Sequence, residues 1–115
     1  SMVRHAGAAA RAFPRAMDMV ANANEAATLL KTLAHPGRLA LACALAEGEF
    51  SVGALEERLG IHQPSLSQQL GILRDAGVVK TRREAKQIFY RLAEAKAAQL
   101  IEALHAIYCR KGKRR

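Results

Sequence analysis

Residues 51–77, SVGALEERLGIHQPSLSQQLGILRDAG, limit the fold more than any other part of the chain. Val52, Leu55 and Leu59 recur at helical spacing behind Ser51, a good N-cap, and Gly60 offers a C-terminal stop. Three residues separate Gly60 from Pro64, which opens a second run with Leu66, Leu70 and Leu73 on one face and Gly77 at its end. Two amphipathic helices joined by so short a turn predict a helix-turn-helix.

The flanking segments extend this unit. NEAATLLKTLA places Ala26, Ala27, Leu30, Leu33 and Ala34 on one helical face, and the His35-Pro36 step ends that helix. Pro36 suits the first turn of the next, PGRLALACALAEG, which Gly48 closes. That helix is apolar almost all round and belongs in the middle of a domain. Downstream, VVKTRREAKQIFYRL alternates, with Ile88, Tyr90 and Leu92 on one face and Phe89 and Arg91 on the other. The pattern predicts two short strands bracketing residues 84–86, although no Asn-Gly marks the turn. A last helix from about Ala93 to Cys109 follows, carrying Ala97, Leu100, Ile101, Leu104, Ile107 and Tyr108 as apolar positions.

A helix-turn-helix followed by a hairpin is a winged helix-turn-helix: mainly α, with a small β-hairpin wing, in the order ααααββα. The boundaries read as a flexible basic arm over 1–17, a domain over 18–110 and a basic tail over 111–115. Within the domain the helix-turn-helix occupies about 51–76, the wing about 78–92 and the last helix about 93–109. That last helix has more apolar surface than a small three-helix core covers. With the N-terminal helix it predicts a two-fold dimer interface, the alternative being that both complete a monomeric core.

Composition narrows the function. Half of the 115 residues are hydrophobic but only 4% are aromatic and none is Trp, so the core is built from Leu, Ala, Val and Ile. No run approaches the ~18 apolar residues of a membrane span, which points to a soluble, cytoplasmic protein. The arm carries Arg4, Arg11 and Arg15 and no acid, faintly like a transit peptide, but lacks the apolar segment of a secretory signal. Ser1 before Met2 reads as a cloning scar. The formal charge is +8, concentrated in Arg110, Lys111, Lys113, Arg114 and Arg115 and again in Lys80, Arg82, Arg83 and Lys86. Such clusters suit a polyanion, although a tail of this kind also serves solubility alone.

The helix that follows the turn carries the reading site. Gln63, Ser65, Ser67 and Gln68 crowd its start, where a surface helix ordinarily carries Lys and Glu. In this architecture that end enters the major groove; Gln bonds adenine in bidentate fashion and Ser bonds bases or phosphate. The helix dipole and free N–H groups favour a nearby phosphate. Gln69, about 100° round the helix from Gln68, reads as facing solvent. Arg82, Arg83 and Lys86 lie near the wing tip, where contacts to the DNA backbone position rather than specify. The alternative for the cluster is a polar helix face without a partner.

Two cysteines remain, Cys43 in the central helix and Cys109 at the end of the last. Their spacing fits no zinc motif, and Cys43 taken alone reads as a small core side chain. A bond between them would tether the central helix to the last one and could shift the setting of two recognition helices, which half-site spacing constrains.

LLKTLAHPGRLALACAL, FSVGALEERLGIHQPSLSQQLGILRDAGVV and TRREAKQIFYRL together resemble the ArsR/SmtB family of winged-helix repressors, and within it the BigR/SqrR persulfide-responsive group. The resemblance covers roughly residues 20–110. It implies a homodimer that binds a palindromic operator as double-stranded DNA and represses sulfide-detoxification genes. It further implies that persulfides or polysulfides link Cys43 and Cys109, through a disulfide or a longer chain, and relieve repression. The family's DNA-contacting positions fall on Gln63, Ser65, Ser67 and Gln68. Two departures count against metal sensing. FSVGALEE lacks the Cys-x-Cys of arsenic sensors, and EAKAAQLIEALHAIYC offers only His105 beside Glu102 where zinc sensors carry spaced Asp and His. His35 and His62 sit at turns, as capping or surface residues. The reading assigns no catalytic residues, no cofactor and no metal ligands, and leaves open Zn or Cu binding by two thiolates across a dimer. The rivals are a metal-responsive repressor of the same fold, a thiol sulfur-transfer enzyme using Cys109, for which no C-x-x-C speaks, and a sequence-independent architectural protein suggested by the charge.

Overall fold

The structure, a computed structural model, describes residues 16–109; Arg4, Arg11, Arg15 and the basic tail from Arg110 onward lie outside them. Helix α1 (Ala16–Leu33) is followed by α2 (Pro36–Glu47), strand β1 (Phe50–Ser51), α3 (Val52–Leu59), α4 (Ser65–Asp75), β2 (Val79–Glu84), β3 (Gln87–Leu92) and α5 (Ala95–Tyr108). The chain divides into two compact units, one ending at Leu30 and one beginning at Lys31.

Local chemistry sets the element boundaries of the second unit. The His35 ring accepts the backbone N–H groups of Gly37 and Arg38 at its Nδ1, 3.0 and 3.3 Å away, and Pro36 occupies the first turn of α2. His35 is therefore a capping residue, as its place at a turn suggested. Ser51 Oγ accepts Ala54 N–H at 3.2 Å to open α3, and Gly60 closes it in the left-handed region at φ 69° with its N–H on Glu56 O. Glu94 accepts Lys96 N–H and opens α5, two residues later than the apolar pattern alone suggests.

Helix α2 lies at the centre, packed against α3, α4, α5 and β3. Its Leu41, Ala42, Ala44 and Leu45 are buried, as expected for a helix apolar on nearly every side. Leu55 from α3 and Leu66, Leu70 and Leu73 from α4 complete the middle of the core, each no more than 1% exposed. Full burial of such a side chain contributes roughly 2 kcal/mol, which explains why the helix-turn-helix survives on so few aromatics.

The hairpin pairs Val79 with Leu92 and Glu84 with Gln87, leaving Ala85 and Lys86 as a two-residue turn. Ala85 takes φ 55°, the left-handed conformation such a turn demands, without the Asn or Gly that would have advertised it. The sheet has a third strand that periodicity does not reveal: β1 pairs with β3, Phe50 opposite Tyr90. Two residues are too few to show alternation. Phe89 is half-buried, with the Arg82 guanidinium 4.7 Å above its ring. Among the described residues the fold is a winged helix-turn-helix with five helices and a three-stranded antiparallel sheet.

Helices α1 and α5 leave more large apolar side chains exposed than α2 does. In α5 only Ala97 and Ile101 are buried, while Ile107 and Tyr108 stand 63% and 73% exposed. In α1 Leu33 is buried, whereas Met17, Met19, Val20 and Leu30 are exposed. Among the described residues no helix is long and apolar enough to cross a membrane.

Candidate nucleic-acid interface and thiol pair

Helix α4 buries its leucines and turns its polar residues outward. Ser65, Ser67 and Gln68 are exposed on its first turn, and Gln63 is exposed just before it. Pro64 occupies the N-cap position and has no side chain to cap with. Gln63 fills that role: its Oε1 accepts Ser67 N–H at 2.9 Å. The same carboxamide keeps two N–H donors for an outside acceptor. Leu66 N–H and Gln68 N–H bond to the carbonyls of His62 and Pro64. The amides of residues 66–68 are thus satisfied inside the chain, so the free N–H groups expected for phosphate at this end are not available at those three positions. The side chains are what the helix offers.

Gln69 does not face solvent. It is half-buried, and its Oε1 accepts a hydrogen bond from Arg38 Nη1 at 2.9 Å. Arg38 also donates Nε–H to Thr32 O at 2.5 Å. One guanidinium therefore ties α4 to the start of α2 and to the last turn of α1. Nothing in a helical wheel reveals this, because the partners are 31 residues apart.

The wing carries two kinds of arginine. Arg82 donates from Nε to both Glu49 carboxylate oxygens at 2.9 Å and from Nη1 to Glu84 Oε1 at 2.7 Å. Those hydrogen bonds hold the Glu49 carboxyl below the usual carboxylate range and push the guanidinium's own value up. Arg82 thus fastens β2 to the segment between α2 and β1, its guanidinium already engaged by two carboxylates. Lys80, Arg83 and Lys86 are exposed, and among the described residues no carboxylate is paired with them.

Cys43 is half-buried on α2, where it lines a cavity of about 430 Å³ with Glu47 and, from α5, Glu102 and His105. Burial pushes the Cys43 thiol up, and the negative charges that Cys109 and Glu47 can carry push it the same way. Cys109 is exposed and caps the end of α5, its N–H bonded to His105 O at 2.9 Å. Both thiols are free. Among the described residues no three His, Cys, Asp or Glu side chains converge as a metal ion would need. His62 sits at the surface with Nδ1 3.2 Å from Glu56 Oε2.

The comparisons agree with this geometry. The pattern of the bacterial regulatory protein, arsR family, matches residues 35–81, from the cap of α2 into β2. The Biofilm growth-associated repressor of Agrobacterium fabrum (strain C58) is 74% identical over 91 residues, covering 79% of this chain and 78% of that protein. The crystal structure of the transcriptional repressor BigR from Xylella fastidiosa superposes with a TM-score of 0.79 at 67% identity, covering 81% of this chain and 95% of that one. A solution structure of a homodimeric winged helix-turn-helix DNA-binding domain from Mycobacterium bovis superposes with a TM-score of 0.67 at 28% identity, covering 84% and 89%. With its central helix, helix-turn-helix and wing in the same order and at this identity, the chain belongs to the ArsR family of bacterial regulatory proteins, which are regulators and not enzymes.

Proposed function

We propose that this protein is a homodimeric, cytoplasmic transcriptional repressor that reads a palindromic operator with α4 and releases it when reactive sulfur links Cys43 to Cys109. Gln63, Ser65, Ser67 and Gln68 read base edges, while Arg83 and Lys86 on the wing hold phosphate. Arg82 joins them only by exchanging a carboxylate for a phosphate. The regulated genes are those of sulfide detoxification. Support for repression comes from the printed names of the relatives in Agrobacterium and Xylella. Support for the dimer comes from the exposed apolar residues of α1 and α5 and from the homodimeric neighbour.

The observation that carries the thiol reading is that α2 holds both Cys43, beside a cavity shared with α5, and Arg38, bonded to the reading helix. A change at Cys43 is felt at Arg38, five residues back along the same helix. In the reaction, the exposed Cys109 thiolate attacks the outer sulfur of a persulfide RSSH and releases RSH, leaving Cys109–S–SH. The Cys43 thiolate then attacks the Cys109 sulfur and expels HS⁻. Two thiols and RSSH become one disulfide, RSH and hydrogen sulfide, with the sulfane sulfur taking the two electrons. A coupling of this type is worth roughly 5–150-fold in operator affinity.

Binding of reduced protein to operator duplex, followed by anisotropy before and after glutathione persulfide, peroxide, a disulfide or Zn, tests the reading. Release by persulfide that disappears in Cys43→Ser and in Cys109→Ser is expected. Release that persists in both variants refutes the two-cysteine mechanism, and release by Zn alone returns the protein to the metal-responsive class.

A further inference from the structure

Beyond its first turn, α4 continues outward in a stripe that the reading above leaves unused. At helical spacing Gln68 is followed on the same face by Gly71, Ile72 and Asp75, opposite the buried Leu66, Leu70 and Leu73. Gly71 is in mid-helix, where glycine destabilises relative to alanine. Among the described residues nothing beyond its own helix backbone requires it: a Cβ added there would meet no other atom within 4 Å. Its neighbour Ile72 is a large apolar side chain left 43% exposed between exposed polar residues. An open glycine and a bare isoleucine side by side describe a surface shaped for close approach by something apolar.

We infer that Gly71 and Ile72 extend the base-reading surface by one turn, Gly71 admitting the edge of the major groove and Ile72 packing on the C5-methyl group of a thymine. The inference rests on α4 being the helix that enters the groove. The methyl group of thymine is the apolar feature that the major groove displays, and the Gln/Ser cluster on the preceding turn leads directly to it. A side chain at residue 71 would stand between helix and base edges. Asp75 ends the stripe, since its carboxylate repels the phosphates farther along the groove, and confines contact to the first two turns. The polar cluster then reads hydrogen-bonding edges while Ile72 reads shape, so the two turns discriminate at adjacent base pairs.

The test uses the full-length reduced protein and a duplex it selects from a randomised library. Each thymine of that duplex is replaced in turn by deoxyuridine, which removes only the methyl group. Wild-type protein is expected to lose about fourfold in affinity at one or two thymines per half-site, the loss corresponding to one apolar carbon. In Ile72→Ala the same replacements are expected to cost nothing. Gly71→Ala is expected to raise Tm by about 4 °C, as an exposed mid-helix alanine should, while weakening operator binding at least tenfold. Selected half-sites without thymine, deoxyuridine effects that persist in Ile72→Ala, or full affinity in Gly71→Ala would each overturn the inference. A changed oligomeric state of Ile72→Ala in sedimentation would overturn it too, assigning the residue to a contact between copies. Gln68→Ala separates the two levels. If it binds as wild type, α4 is not the reading helix; if it loses affinity while deoxyuridine does nothing, only the present inference fails.

Discussion

Helices α4 and α5 carry the same apolar periodicity and come to different ends. Helix α4 buries all three of its leucines to 1% exposure or less and turns serine and glutamine outward. Helix α5 buries Ala97 and Ile101 and leaves Ile107 and Tyr108 largely bare. Periodicity announces that a helix has a face to bury, but not whether its own chain covers it. The second face of each helix is the more telling one. Polar residues of short and medium reach suit base edges, whereas exposed isoleucine and tyrosine at a helix end suit another protein surface.

The largest effect that separates the two helices is on stability. Leu70→Ala in α4 is expected to destabilise by about 2–5 kcal/mol in urea unfolding, because it opens a cavity in a filled core. Tyr108→Ser in α5 is expected to leave the stability of the monomer unchanged and to weaken self-association in sedimentation equilibrium. A cost as large for Tyr108→Ser at concentrations where the protein is monomeric would erase the contrast.

A smaller effect belongs to the bond that connects α4 to α2. Arg38→Met removes the donors to Gln69 Oε1 and Thr32 O while keeping much of the stem. About 1.5–3 kcal/mol of stability is expected to go with these charged-group hydrogen bonds. Arg38→Met is also expected to weaken operator binding, Gln69→Met to show most of that loss and the double variant little more, in a double-mutant cycle on operator affinity. Additive losses would mean that the pair does not act as one unit.

The wing supplies a finer comparison. Arg83→Ala and Lys86→Ala are each expected to lower the slope of log affinity against log salt by about 1. Arg82→Ala is expected to lower it less, because Glu49 and Glu84 already neutralise that charge. Equal slopes for Arg82→Ala and Arg83→Ala would show that DNA displaces the carboxylates.

The smallest effect concerns the thiols. With its value raised by burial first and by Cys109 and Glu47 after, Cys43 holds its proton above the ordinary thiol range. Its alkylation by iodoacetamide in the folded protein is expected to lag that of the exposed Cys109 at pH 7 and to climb steeply at alkaline pH, as read by mass spectrometry. Proton binding to Cys43 favours the folded state, so this contribution is complete below the unfolded thiol's value and is lost as pH rises through the folded one. Equal alkylation of both thiols at pH 7 would place Cys43 in open solvent.

Much of this was legible in the chain because it is local. Ser51, Gly60, Pro64 and Gly77 act on the backbone within a few residues, so the helix-turn-helix could be read directly. The polar cluster from Gln63 to Gln68 could be singled out because it departs from what solvent alone selects. The third strand could not, since β1 has two residues and exists only because β3 lies beside it. Gln69 was misread as a solvent residue for the same reason: its partner is on another helix. Arg82 and Arg83 are adjacent and identical in sequence, yet Glu49, 33 residues from Arg82, separates their roles.

The amino-acid sequence by itself determined the winged helix-turn-helix, the polar start of its second helix and the two thiols, because capping, periodicity and residue type act over one or two turns. Tertiary structure alone decided which of those residues are already engaged. It gave Gln69 to Arg38 and Arg82 to Glu49, put Cys43 beside a cavity with His105 and Glu102, and left Ile72 exposed next to a half-buried glycine with room for a Cβ. These outcomes depend on side chains distant in sequence meeting across elements, and hydrogen bonds and burial take effect only once they meet.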